Sequence, residues 1–136
     1  MRENSPDEFD ILTKLERPYR YRTDEVWLEA EFPVFSLNGR GELTTVRFNE
    51  RSAAPLCNVT ETELLRYYNA WIHLGQILES GIYEKRAILK AGDILVMNNS
   101  RILHGRTVFE GTRHLQGCYV DSDGVRSKYR MLRAHS

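Results

Sequence analysis

The period of the apolar positions changes several times along the chain, and each change marks an element. Ser5-Pro6-Asp7-Glu8 sets a capping serine ahead of Pro at the first helical position, which predicts a short helix to about Leu15. From residue 19 to 49 aromatic and β-branched side chains dominate (Tyr19, Tyr21, Val26, Trp27, Phe32, Val34, Phe35), and the pattern reads as strands. Asn38-Gly39-Arg40-Gly41 interrupts it. Asn-Gly between two such runs predicts a hairpin, because a tight primed turn needs residues that tolerate positive φ; its return strand runs over 42–49. Thr60-Glu61-Thr62-Glu63 is a capping box that opens the one long helix, over 61–80. Leu64, Tyr68, Trp71, Leu74 and Leu78 recur there at helical spacing and predict its buried stripe. His73 lies one step off that stripe and reads as a surface or boundary histidine rather than a ligand.

After Gly81 the pattern returns to strands, at 83–89, 94–97, 101–108 and 113–120. Lys90-Ala91-Gly92-Asp93 separates the first pair and Glu110-Gly111 the last. A basic, partly amphipathic segment over 125–134 predicts a terminal helix. A β-hairpin, one helix and a β-meander in that order describe a mostly β domain with helices (α+β), the helix lying on one side of a sheet. No repeat, low-complexity tract or Pro/Ser-rich linker divides the chain, so 1–136 reads as one domain or part of one.

Composition narrows the function classes. With 41% hydrophobic residues in 136 the chain can bury a single core. Its 19 basic and 19 acidic side chains balance, which removes the electrostatic argument for nucleic acid or an anionic membrane as partner. No apolar run approaches the ~20 residues of a membrane span, and the first residues lack a signal-peptide core. A soluble, cytoplasmic protein is expected. The two cysteines, Cys57 and Cys118, are too few for a disulfide framework and read as reduced core thiols. The sequons Asn58-Val59-Thr60 and Asn98-Asn99-Ser100 would matter only in a secreted protein and read as chance.

Candidate chemistry gathers in the last predicted hairpin. A two-residue turn at Glu110-Gly111 would set Val108 opposite Arg113 and His104 opposite Gly117. His104, Arg106 and Val108 would then share a sheet face with Arg113, Leu115, Gly117 and Tyr119. A neutral imidazole can bind Fe(II), and the glycine opposite leaves room for a ligand. Arg113, roughly 13 Å along the strand from Gly117, could clamp the far carboxylate of a dicarboxylate held by the metal. Spacing alone is weak support: a His and an Arg in a hairpin are more often packing or surface residues.

The run Ala91-Gly92-Asp93-Ile94, Asn99-Ser100-Arg101-Ile102-Leu103-His104-Gly105-Arg106 and Arg113-His114-Leu115-Gln116-Gly117-Cys118-Tyr119 resembles the C-terminal signature of the γ-butyrobetaine and trimethyllysine dioxygenases, in the taurine-dioxygenase-like superfamily. The likeness runs from about Ser5 to Leu132 and takes in the tail Asp121-Ser122-Asp123 and Ser127-Lys128-Tyr129-Arg130. It implies a jelly-roll (double-stranded β-helix) enzyme that uses Fe(II) and 2-oxoglutarate with O2 to hydroxylate a small betaine-type substrate, as in carnitine biosynthesis; a homodimer is the assembly it suggests. By the same resemblance His104 is the distal iron ligand, Arg113 binds 2-oxoglutarate, and Tyr119 lines a cage for a trimethylammonium group, which π-faces can hold without hydrogen bonds. Asn49 matches a position contacting the substrate carboxylate, a task its amide NH2 suits; a strand-end turn residue is its plainer reading.

Two departures matter. The family's Asp-Asn-Trp-Arg is replaced by Asn98-Asn99-Ser100-Arg101, which removes a large packing group. The iron site of these enzymes also takes two histidines and one carboxylate, the first pair as His-x-Asp or His-x-Glu. None of the four histidines here, His73, His104, His114 and His135, stands in that motif. The chain is therefore expected to be the C-terminal portion of the catalytic domain, lacking the upstream half and inactive alone. The alternative is a remnant or binding module that keeps the half-fold without an iron site.

Overall fold

The computed structural model describes residues 1–135. The order is α1 (Pro6–Lys14), β1 (Glu16–Arg22), β2 (Trp27–Pro33), β3 (Phe35–Leu37), β4 (Leu43–Val46), α2 (Glu61–Glu79) and α3 (Ser122–Ala134). The chain forms two compact units, the first over Met1–Gly105 and the second from Arg106 onward.

In the first unit the local signals act largely as the sequence implies. α1 starts at Pro6, although the Ser5 side chain makes no capping hydrogen bond. α2 opens with the full capping box: Thr60 Oγ1 accepts from Glu63 N while Glu63 Oε2 accepts from Thr60 N at 2.9 Å. β1 and β2 pair antiparallel from Glu16↔Pro33 to Arg22↔Trp27. Their turn is closed by Thr23, whose Oγ1 accepts from Val26 N at 3.0 Å. β3 and β4 form the hairpin expected at Asn38-Gly39, with a bulge between Ser36 and Leu37. Its turn is longer than a two-residue primed turn. Asn38 Oδ1 accepts from both Arg40 N and Glu42 N at 2.9 Å, and only Gly41 takes a positive φ, +74°. The Asn38 side chain does the work that a second left-handed residue would otherwise do.

The core lies between α1, α2 and the chain around β3. Ile11 and Leu12 from α1, Val34 and Phe35, Leu56, and Tyr67, Ala70, Trp71 and Leu74 from α2 form it. The buried stripe of α2 is therefore rotated from the expected one: Tyr67 and Ala70 have no exposed surface, Leu64 and Tyr68 flank it half-buried, and Leu78 is exposed. Ala70 has no bulk beyond Cβ, so its face of α2 admits close packing of the neighbouring core. Ring stacking adds direction, with Phe9 on Phe35 at 4.9 Å and Phe48 on Trp71 at 4.4 Å between centroids.

The strands expected at 83–89, 94–97, 101–108 and 113–120 are not formed among the described residues. The turns between them are: Gly92 and Gly111 take φ of +90° and +91°, and Asp93 N donates to Lys90 O. What is missing is a ladder. An isolated two-stranded ribbon is marginal in water and needs further strands or a covering face. Here the apolar residues of those segments are open to solvent, Ile88 at 89%, Val96 at 83% and Val108 at 97% exposure. Helix consequently outweighs strand, and the mixed helix-and-strand character holds while the mostly β expectation does not. Cys57 and Cys118 are free as expected, but both are exposed rather than in the core.

In the second unit α3 covers the expected terminal helix and begins earlier, at Ser122, because Asp121 caps it by accepting from Gly124 N at 2.6 Å. None of its residues is buried. No described helix is long and apolar enough to cross a membrane.

Candidate active site

The four predicted site residues fall on turns and extended chain. Asn49 follows β4 and turns the chain. Its Oδ1 accepts from Arg51 N at 2.9 Å and its Nδ2 donates to Ser52 Oγ at 2.9 Å. Both ends of the amide are thereby engaged by its own loop, which is the strand-end turn role. That loop is docked on β1, where Arg20 N donates to Ser52 O and Ala54 N donates to Pro18 O.

His104 lies beyond a tight turn at Asn98. The Asn98 carbonyl accepts from Arg101 N and Ile102 N, and its Oδ1 accepts from Ser100 N at 3.1 Å. This turn is fastened to β4, since Val46 N donates to Ser100 O at 2.9 Å. The chains leading to Asn49 and to His104 thus depart from a shared anchor in the first unit. The imidazole is exposed, and its Nδ1 is 3.3 Å from Ile102 O.

Arg113 and Tyr119 belong to the second unit. The Arg113 guanidinium lies over the Phe109 ring at 5.6 Å, and that of Arg106 lies over the same ring at 5.4 Å. These three side chains line an open depression together with Leu115. Two cations beside one apolar ring suit an anionic ligand with an apolar body. Sequence reasoning put Arg106 on the face of Arg113 but gave it no role. Tyr119 is 90% exposed, so among the described residues it lines no cage.

A facial iron site needs two histidines and a carboxylate on one side of the metal. Among the described residues no group of three His, Cys, Asp or Glu side chains gathers to hold a metal ion. The donors of this chain therefore do not fit an iron centre by themselves, and no catalytic step is derived through one. His73, the histidine set aside as a non-ligand, pairs with Glu8 Oε2 at 2.5 Å across the α1–α2 contact.

The profile of the taurine catabolism dioxygenase TauD, TfdA family matches residues 1–119. The chain belongs to that family. Among its TauD-family relatives, trimethyllysine dioxygenase of Meyerozyma guilliermondii is 27% identical over 97% of this chain and 34% of its own length. Human mitochondrial trimethyllysine dioxygenase is 30% identical over 96% of this chain and 32% of its own. Human gamma-butyrobetaine dioxygenase is 25% identical over 98% of this chain and 36% of its own. The chain spans about a third of the length of the curated relatives it matches. The TauD-family match contains Asn49, His104, Arg113 and Tyr119.

Proposed function

We propose that this chain is the C-terminal jelly-roll portion of an Fe(II)- and 2-oxoglutarate-dependent dioxygenase that hydroxylates a trimethylammonium substrate such as γ-butyrobetaine, with O2 as co-substrate. Within it His104 supplies one imidazole to the metal, Arg113 binds the distal carboxylate of 2-oxoglutarate, Tyr119 offers a π-face to the trimethylammonium group, and Asn49 meets the substrate carboxylate with the Nδ2 hydrogen that Ser52 does not take. The remaining histidine and carboxylate ligands come from outside these 136 residues. The observation that carries the reading is the family match across all four residues, with relatives named for the two trimethylammonium substrates. Asn49 favours γ-butyrobetaine over trimethyllysine in this reading.

The strand-forming sequence at 83–120, unpaired as it stands, supports a portion of a larger sheet: its exposed apolar residues come in consecutive runs (Ile88-Leu89, Ile94-Leu95-Val96, Ile102-Leu103, Val108-Phe109), as in strands covered on both faces. One imidazole cannot hold Fe(II) against water and competing metals, so the 136-residue chain alone should release no CO2 from 2-oxoglutarate when given Fe(II), O2 and either substrate. Turnover would sink that part of the reading. Reading the encoding DNA upstream of Met1 tests the rest: an in-frame His-x-Asp or His-x-Glu supports it, and none favours a binding module without catalysis.

A further inference from the structure

Arg17 is the one buried charged residue of the described core, at 8% exposure. Its Nε donates to Ala54 O at 2.9 Å, and its guanidinium carbon lies 4.3 Å from the Trp71 ring centroid and 5.8 Å from that of Tyr68. No Asp or Glu among the described residues forms an ion pair with it. Its Nη1 is sealed from solvent without a hydrogen-bond partner, and so are the hydroxyls of Tyr19 and Tyr67. A guanidinium stays charged at any physiological pH and can only donate. Burying one without an acceptor of negative charge is costly, and π-faces offset only part of that.

The two phenols feel this charge. Burial raises the Tyr19 and Tyr67 hydroxyls above their ordinary range, and the neighbouring Arg17 pulls both back in part, through its charge and, for Tyr67, through a side-chain contact too long to satisfy either group. Around Tyr19 the further charge is Arg47, also positive. The neighbourhood thus combines a net positive field, three buried donor groups and no carboxylate.

We propose that Arg17 Nη1, Tyr19 Oη and Tyr67 Oη form a binding site for one small carboxylate anion between β1 and α2. A carboxylate fits these donors because each of its oxygens accepts about two hydrogen bonds, and guanidinium–carboxylate pairs are among the strongest in proteins. The site is separate from the residues assigned to catalysis and stands whether or not that assignment does.

Formate is the probe. The 136-residue chain is titrated with sodium formate at fixed ionic strength, and the Arg17 Nε–Hε resonance and the melting temperature are followed. Bulky benzenesulfonate is the control. A saturable Arg17 shift and a rise in Tm are expected with formate but not with the control. Arg17→Met keeps the stem over Trp71 and removes the charge; it should melt higher than the parent without formate and lose the formate response. Tyr67→Phe should bind formate about tenfold more weakly, the loss of one hydrogen bond to a charged group. Absence of a saturable Arg17 shift, or an equal Tm rise in Arg17→Met, overturns the proposal. If Arg17→Met does not fold, the parent titration and Tyr67→Phe still decide it.

Discussion

Glu8 and His73 meet at 2.5 Å between side chains 34% and 39% exposed, and the contact joins α1 to α2. Water screens a pair at that depth, so Glu8→Gln should cost only about 0.5 kcal/mol in urea unfolding, and a double-mutant cycle with His73→Gln should return most of it as coupling. Tyr67 behaves differently because it is sealed. Burial raises its hydroxyl above the ordinary phenol value of 10.0, so the unfolded chain loses that proton first as pH rises. Its contribution is intact below pH 10.0 and is lost as pH climbs towards the folded value. Alkaline denaturation followed by circular dichroism should therefore show a weaker loss of stability above pH 10.0 in Tyr67→Phe than in the parent. Glu63 runs the other way. The hydrogen bonds from Thr60 hold its carboxyl below the usual range, and what the box adds at neutral pH is lost as pH falls through that lowered value.

At the scale of elements, α2 is the clearest case of sequence writing structure. Its capping box and length follow from Thr60 and Glu63, and Thr60→Ala should cost about 1 kcal/mol by denaturant titration. Trp71 stacks on Phe48 and lies under Arg17; Trp71→Ala should cost about 3–5 kcal/mol, enough to unfold a marginal unit. Which face of α2 is buried was less legible. Periodicity admits two stripes one residue apart, and the choice depends on the residues α2 packs against, Ile11 and Leu12 of α1 among them. The β1–β2 hairpin shows the same limit, since Thr23 closes a turn that carries no glycine signal. The segment 83–120 has strand composition without a ladder, because a strand is a property of its neighbours as much as of its own residues. Gly92 and Gly111 still adopt their turns, since those depend on local backbone freedom alone.

For the whole molecule, the first unit holds every core residue, whereas the chain beyond α2 is largely uncovered. Limited trypsin digestion should cut first at Lys85, Arg86, Lys90, Arg101, Arg106 and Arg113 and leave a resistant piece ending near α2; early cuts at Arg47 or Arg66 would contradict that distribution of stability. The candidate site was legible as residue types, through motifs that keep their order along the chain. Its geometry was not, because the hairpin arithmetic that put His104 and Arg113 on one face presumes a sheet to hold the ribbon flat.

The bond from Val46 N to Ser100 O fastens that outer chain to β4. Between the end of α2 and Ser100 about twenty residues run free, and closing such a loop costs several kcal/mol against about 1 kcal/mol returned by one hydrogen bond. The fastening should therefore work as a latch in rapid exchange. Hydrogen–deuterium exchange should find the Val46 amide opening far more often than the neighbouring Arg47 amide, which donates to Val34 O inside the core. Each opening would release the His104 segment as one flexible arm, free to be captured by whatever surface completes its sheet.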